Sequence, residues 1–193
     1  MRAPFEVVAL AASAGGLNAL SQVLVALPAD FAAALVVVQH LDPRHRSLMA
    51  EILAKRTRLA VKQAAEAELL RPGCVFVAPP NHHLLVNAGG RLSLTQTELV
   101  HFVRPSADLL FESTAAAYRE RAIAVVLSGS GHDGAMGLRA IKKTGGTVIV
   151  QDAKNAEFPG MPEAALATGA ADFVLALDEI APALERLCAP IDG

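Results

Sequence analysis

Three polar side chains stand where nucleophilic chemistry would need them, each behind an apolar run. Ser13 follows Val7–Ala12 within Ala11-Ala12-Ser13-Ala14-Gly15. That is close to the small-x-Ser-x-Gly turn, whose small neighbours let a strand bend sharply into a helix and project a serine oxygen. His40 follows Ala33–Gln39, and the end of a buried strand is where an imidazole can face a cleft and serve as a base. Asp133 lies in Ser128-Gly129-Ser130-Gly131-His132-Asp133-Gly134, behind the apolar run 122–127. The glycines there permit a tight turn that aims the carboxylate inward, where it orients a histidine and stabilises its imidazolium. Nucleophile, base and orienting acid are the parts of acyl transfer. The order Ser, His, Asp is not that of the familiar hydrolases, but geometry rather than order defines a triad.

Other chemistries fit parts of the same segments. Ser13 also reads as the N-cap of the next helix, and Gly15-Gly16 as a phosphate-cradling turn. Gly129–Gly134 is literally G-x-G-x-x-G between a strand and a helix, with Asp152 about twenty residues on, where a ribose-binding acid would sit. An NAD(P)-binding oxidoreductase is therefore the runner-up. Against it, the motif falls late in the chain with one βαβ unit after it, and Asp133 would repel a pyrophosphate. His40, Asp42 and His45 have no second cluster at ligand spacing, and His82 and His83 point opposite ways if extended. No metal and no cofactor is expected. A non-catalytic receptor-binding module is the third reading.

The elements that must position these groups are legible from apolar patterning. Runs without polar alternation at Glu6–Ala12, Ala33–Gln39, Val75–Pro79, Ile123–Ser128, Thr147–Gln151 and Phe173–Leu177 read as strands buried on both faces. Helical spacing falls between them, at Leu17/Leu20/Leu24, Leu48–Leu53, Leu109–Tyr118, Met136–Lys143 and Glu179–Leu187. The alternation predicts an α/β fold: a doubly wound, mostly parallel sheet flanked by helices. Two short runs around Asn87-Ala-Gly-Gly in His83–Thr97 predict an antiparallel β-hairpin at one edge. No linker or repeat divides the chain, so one domain over 1–193 is expected.

Composition narrows the function classes. Of 193 residues, 53% are hydrophobic and 19% charged, which excludes disorder. A net charge of −2 offers no field for nucleic acid or anionic lipid. Seven Phe, one Tyr and no Trp make a poor base-stacking platform. The run Phe31–Val38 is far short of the ~20 residues of a membrane span, and the N-terminus lacks the pattern of a signal peptide. Two cysteines form neither a disulfide framework nor a metal pair. A cytoplasmic protein is expected.

Taken together and in order, the motifs resemble the catalytic domain of the CheB family, the chemotaxis-receptor protein-glutamate methylesterases. The resemblance runs from about Val7 to Ile180. It includes Ala-Ser-Ala-Gly-Gly (12–16), Gln39-His40, Val77-Ala78-Pro79 with a following His, and Arg-Pro-Ser-Ala-Asp-Leu-Leu-Phe (104–111). It continues through Val-Val-Leu-Ser-Gly-Ser-Gly-His-Asp-Gly-Ala (125–135), Gly145-Gly146, Gln151-Asp152 and Met161-Pro162-Glu-Ala-Ala. By resemblance, Ser13 is the nucleophile, His40 the general base and Asp133 its orienting acid. A backbone amide near Ser130 is a candidate donor to the oxyanion. The reaction implied is hydrolysis of glutamate γ-methyl esters on methyl-accepting receptors, with deamidation of receptor glutamines as an implied second activity. The partner implied is a receptor protein substrate, with control left to expression, docking or a separate signalling regulator. Chemotaxis members carry an N-terminal receiver domain, whereas this sequence begins at the catalytic strand; a stand-alone domain independent of phosphodonors is expected. Ala14 replaces the Thr that many members have after the nucleophile, and Ser130 a Met or Thr. Arg104 reads as a solvated side chain or a contact for an acidic receptor surface, Ser106 as an N-cap, Asp108 as a first-turn acid, and Met161 as core or cleft lining.

Overall fold

The computed structural model describes residues 5–40 and 47–190. Asp42 and His45 lie outside the described residues. In chain order the elements are β1 (Val7–Ala12), α1 (Gly16–Ala26), β2 (Ala34–Gln39), α2 (Met49–Ala54), β3 (Ala60–Gln63), β4 (Cys74–Val77), β5 (His83–Val86) and β6 (Leu92–Thr95). They continue with α3 (Ala107–Tyr118), β7 (Ala122–Val126), α4 (Ala135–Lys143), β8 (Thr147–Gln151), α5 (Gly160–Ala167), β9 (Phe173–Leu175) and α6 (Leu177–Cys188). Seven strands form one parallel sheet in the order β3-β4-β2-β1-β7-β8-β9.

The central strand shows why these segments carry no polar alternation. Val7, Ala9 and Ala11 face a core with Leu110 and Phe111 of α3, Leu138 and Ile141 of α4, and Met161 of α5. Val8, Leu10 and Ala12 face the opposite core, with Leu20 and Leu24 of α1, Leu53 of α2, and Ile180 and Leu184 of α6. Every β1 residue is fully buried. A parallel strand covered by helices on both faces must be apolar at every position.

The chain winds from β1 to β2 on one side and later from β7 to β9 on the other. The switch point therefore lies between β1 and β7, and in open α/β sheets the crevice at the strands' carboxyl ends there takes the ligand. Ser13 follows β1, His40 follows β2, and the Ser128–Gly134 loop follows β7.

The predicted hairpin forms between β5 and β6, as a two-stranded sheet of its own packed on α3. Patterning missed two elements. The edge strand β3 is mostly exposed, and α5 opens on Gly160-Met161-Pro162, residues that resemble a break. Among the described residues no helix is long and apolar enough to cross a membrane.

Candidate active site

His40 and Asp133 meet. The ring Nε2 lies 2.7 Å from Asp133 Oδ2, across 93 residues of sequence, with both side chains nearly buried. Ser13 stands on the neighbouring strand end. β1 and β2 run in register to Ala12 opposite Gln39, and the His40 N–H donates to Ala12 O at 3.2 Å. One residue further, Ser13 is level with His40 on strands about 4.8 Å apart. Ser13 Oγ makes no side-chain hydrogen bond among the described residues. In resting enzymes such bonds are often long and tighten only on the substrate.

The N-cap reading of Ser13 is not what the fold adopts. The N-cap of α1 is Gly15, at φ 72°, with no side-chain capping bond. Two amide side chains instead hold the strand ends. Buried Gln39 donates from Nε2 to Ser13 O (2.8 Å) and His40 O (3.0 Å). Buried Gln151 accepts from Ser128 N–H at Oε1, 2.9 Å. Ser128 then donates its hydroxyl to Ala14 O at 2.9 Å and accepts from Phe158 N–H at 3.0 Å. Behind Ser13, Gly129 leaves no room: a Cβ there would sit 2.9 Å from Ser13 Cβ and 2.2 Å from Met161 Sδ. Met161 is therefore a core side chain that backs the site.

The Asp133 carboxylate is held by a helix end. Asp133 Oδ1 accepts from the Ser106 hydroxyl (2.9 Å) and Asp108 N–H (3.2 Å), and Oδ2 accepts from Ala107 N–H at 2.6 Å besides His40. Unsatisfied amides of a helix's first turn favour an anion. Burial pushes the Asp133 carboxyl up, but the hydrogen bond from His40, the Ala107 amide, the His40 charge and the Asp108 amide outweigh it and hold it below the ordinary carboxylate value. Ser106 thus spends its hydroxyl on Asp133 rather than capping α3, which has no side-chain capping bond.

Asp108 behaves the same way in reverse. From the first turn of α3 it accepts the Gly137 N–H of α4 at Oδ1, 2.7 Å, so the two helix ends exchange carboxylates. The helices approach closely enough that a Cβ on Gly137 would lie 2.7 Å from Phe111 Cβ and 2.8 Å from Asp108 O. Burial raises the Asp108 carboxyl above its ordinary value; the Gly137 amide opposes this, the Asp133 charge adds to it, and His101 and the Met136 amide oppose it.

Behind Ser106 stands His83, fully buried. Its Nδ1 accepts the Ser106 N–H at 3.1 Å, and its Nε2 lies 2.9 Å from Glu98 O. The first contact needs a lone pair and the second a proton, which makes the ring neutral with its proton on Nε2. Sequence reasoning left His83, Ser106, Ser128 and Gln151 without these roles. The one local signal was a Gln closing each of two apolar strands.

Other sequence candidates fall elsewhere. Asp152 closes its own loop, its Oδ1 accepting from Lys154 N–H at 3.0 Å. Arg104 neither floats in solvent nor awaits an acidic partner: Nε and Nη2 donate to Asn81 Oδ1 and Nη1 to Gln96 O and Thr97 O. Ser130 is exposed at the loop tip. Among the described residues no group of three His, Cys, Asp or Glu is placed to hold a metal ion.

Two cavities flank the strand ends. One of about 320 Å³ is lined by residues of α1, α6 and the loops after β7 and β8, including Gly15, Gln151 and Glu157. The other, of about 150 Å³, has His40 itself in its wall, with Asn81, Leu99, Phe102, Val103, Arg104 and Pro105. The smaller one touches His40, though not Asp133 or Ser13.

Comparison with known proteins shows the family and the fold. The family model described as CheB methylesterase matches residues 8–184. A protein of Leptospira interrogans is 40% identical over 183 residues, 95% of each chain. The protein-glutamate methylesterase/protein-glutamine glutaminase of Symbiobacterium thermophilum is 40% identical over 185 residues; the match takes in 96% of this chain but 51% of that one. The crystal structure of the Thermotoga maritima CheB methylesterase catalytic domain superposes with a TM-score of 0.91 at 35% identity, covering 95% of this chain and 98% of that one. Neither the dinucleotide-binding reading nor the non-catalytic module gains support from these matches.

Proposed function

From the premise that the chain belongs to the CheB methylesterase family, we propose that it hydrolyses glutamate γ-methyl esters on a methyl-accepting receptor protein, with Ser13, His40 and Asp133 as its triad. The observation that carries this reading is the His40–Asp133 contact at 2.7 Å beside the Ser13 strand end. Because Nε2 is engaged by the carboxylate, Nδ1 is the ring nitrogen left to serve Ser13.

The steps follow from those positions. Ser13 Oγ attacks the ester carbonyl while its proton passes to His40 Nδ1, and the Asp133 carboxylate stabilises the imidazolium. The oxyanion takes backbone donors flanking Ser13. The Gly129 N–H is spent on Phe158 O, whereas the Ser130 and Ala14 N–H groups have no acceptor among the described residues, so these two are the proposed donors. Collapse of the intermediate breaks the C–O bond to methoxide, which leaves as methanol with the proton from His40. Water, deprotonated by His40, then releases the glutamate and restores Ser13. The same steps on a glutamine side chain release ammonia, which is the deamidation that relatives' names include.

We place the reaction in the cytoplasm. The two thiols are unpaired, and burial pushes Cys188 up to about 12, leaving it protonated and inert. The test is a fluorophosphonate probe followed by mapping of the labelled residue, with methanol release from a methylated receptor as the activity. Labelling at Ser13 and loss of at least ~10⁴-fold turnover in Ser13→Ala, with an unchanged Tm, are expected. Undiminished methanol release by Ser13→Ala overturns the assignment.

A further inference from the structure

We infer that the turn spanning Leu99–Val103 is a docking prong for the polypeptide that carries the ester, with the Phe102 ring as its contact. This rests on the proposed esterase reading. Val100 and Val103 exchange both backbone hydrogen bonds, at 3.2 and 2.9 Å, around His101 (φ 49°) and Phe102 (φ 65°). Two left-handed residues in the centre are the mark of a type I′ turn, which favours Asn and Gly there. A β-carbon makes that conformation costly, and costly backbone persists where the surroundings impose it, commonly at functional sites.

The surroundings do impose it. Arg104 fastens the base of the turn through its four hydrogen bonds to Asn81, Gln96 and Thr97. His101 Nε2 lies 3.3 Å from Asp108 Oδ2, and its ring meets that of His132 edge-on, 4.8 Å between centroids. Yet the strained residue gives the fold nothing back: Phe102 is 94% exposed and its neighbour Leu99 53%. An aromatic ring carried into water on a fastened turn is disposed to bind apolar surface, with no backbone left to order.

Position identifies the occupant. Leu99, Phe102 and Val103 share the 150 Å³ cavity with His40. A glutamyl Cδ is three bonds from its Cα, so an ester carbonyl placed at Ser13 and His40 holds the substrate backbone within roughly 4 Å of it. The backbone must then cross the cavity rim, against the prong. Since the Arg104 guanidinium is turned to Asn81 and two carbonyls, the contact on this wall is apolar. The partner surface is therefore a protein segment with an apolar side chain near the esterified glutamate. On a helix that means three or four residues away.

The experiment uses two helical peptides with a central glutamate γ-methyl ester, flanked at those spacings by Leu in one and Ser in the other, with p-nitrophenyl acetate as a small ester. Wild-type protein should prefer the Leu peptide about tenfold or more in kcat/KM, as burial of one well-seated aromatic contact provides. Phe102→Gly should abolish the preference through KM, leave p-nitrophenyl acetate hydrolysis within about twofold, and hold or raise Tm because glycine relaxes the turn. A lost preference in a variant at least as stable as wild type separates docking from mere structural support. Preference and KM untouched in Phe102→Gly overturn the prong alone. Failure of wild-type protein to hydrolyse any of the esters in a Ser13-dependent way overturns the esterase reading and the prong with it.

Discussion

Replacing Asp133 by Asn probes the site at a group that takes part in four of its hydrogen bonds. Each carboxylate oxygen faces one backbone N–H, Asp108 at Oδ1 and Ala107 at Oδ2, besides the Ser106 hydroxyl and the His40 ring. A carboxamide has a single oxygen, so whichever way it turns its NH₂ group meets a backbone donor. A buried donor left without an acceptor costs about 1–3 kcal/mol, and losing the charge weakens the bonds that remain. We expect Asp133→Asn to lose roughly 3 kcal/mol of stability, about 6–12 °C in Tm at this chain length. With its NH₂ toward His40, the variant also favours the tautomer that carries the proton on Nδ1, which removes the base from Ser13. In a comparable triad that exchange costs ~10⁴ in rate, about 5.5 kcal/mol.

Acid adds an independent arm to the same test. Asp133 has a folded pKa below its unfolded value. Its stabilisation is therefore present above the unfolded value and is lost as pH falls through the folded one. Wild-type Tm should drop across that acid window more steeply than that of Asp133→Asn. The measurements are thermal unfolding across pH and methanol release from a methylated receptor. A variant with wild-type Tm, or with kcat/KM within tenfold of wild type, refutes the claim that this carboxylate is both anchored by α3 and needed to orient His40.

Substitutions at two further positions test the supports around it. His83→Leu leaves Ser106 N–H and Glu98 O unpaired and should lower both Tm and kcat, whereas His83→Gln, which can donate and accept, should restore most of kcat; equal kcat in the two variants would remove His83 from the positioning of Ser106 and Asp133. Asp108→Asn keeps an oxygen for the Gly137 N–H and removes a buried charge whose folded pKa is raised. Ionised Asp108 weakens the fold above that value and the penalty fades as pH falls through it toward the unfolded value, so the variant should equal or exceed wild-type Tm at neutral pH, with the gap closing in acid; a lower Tm at neutral pH would contradict it.

Much of the site was readable because a parallel sheet converts local pattern into global position. Val7–Ala12 and Ala34–Gln39 are apolar on both faces, so each had to be an inner strand, and all inner strands of such a sheet end at one rim. A serine behind one, a histidine behind another and an acidic glycine-rich loop behind a third were thereby brought to the same edge before any tertiary contact was known. Ala60–Gln63 was invisible for the opposite reason: an exposed edge strand buries too little to leave an apolar run, and only pairing with β4 makes it a strand. Packing alone decided which donors Asp133 meets. Ser106, Ala107 and Asp108 lie 25 to 27 residues away in sequence, and His83 reaches Ser106 across 23. Propensity and capping patterns extend over one helical turn, so they placed the Ser106 hydroxyl on its own helix. The tertiary fold turned it instead to a buried carboxylate, because a charge taken out of water must collect every donor within reach.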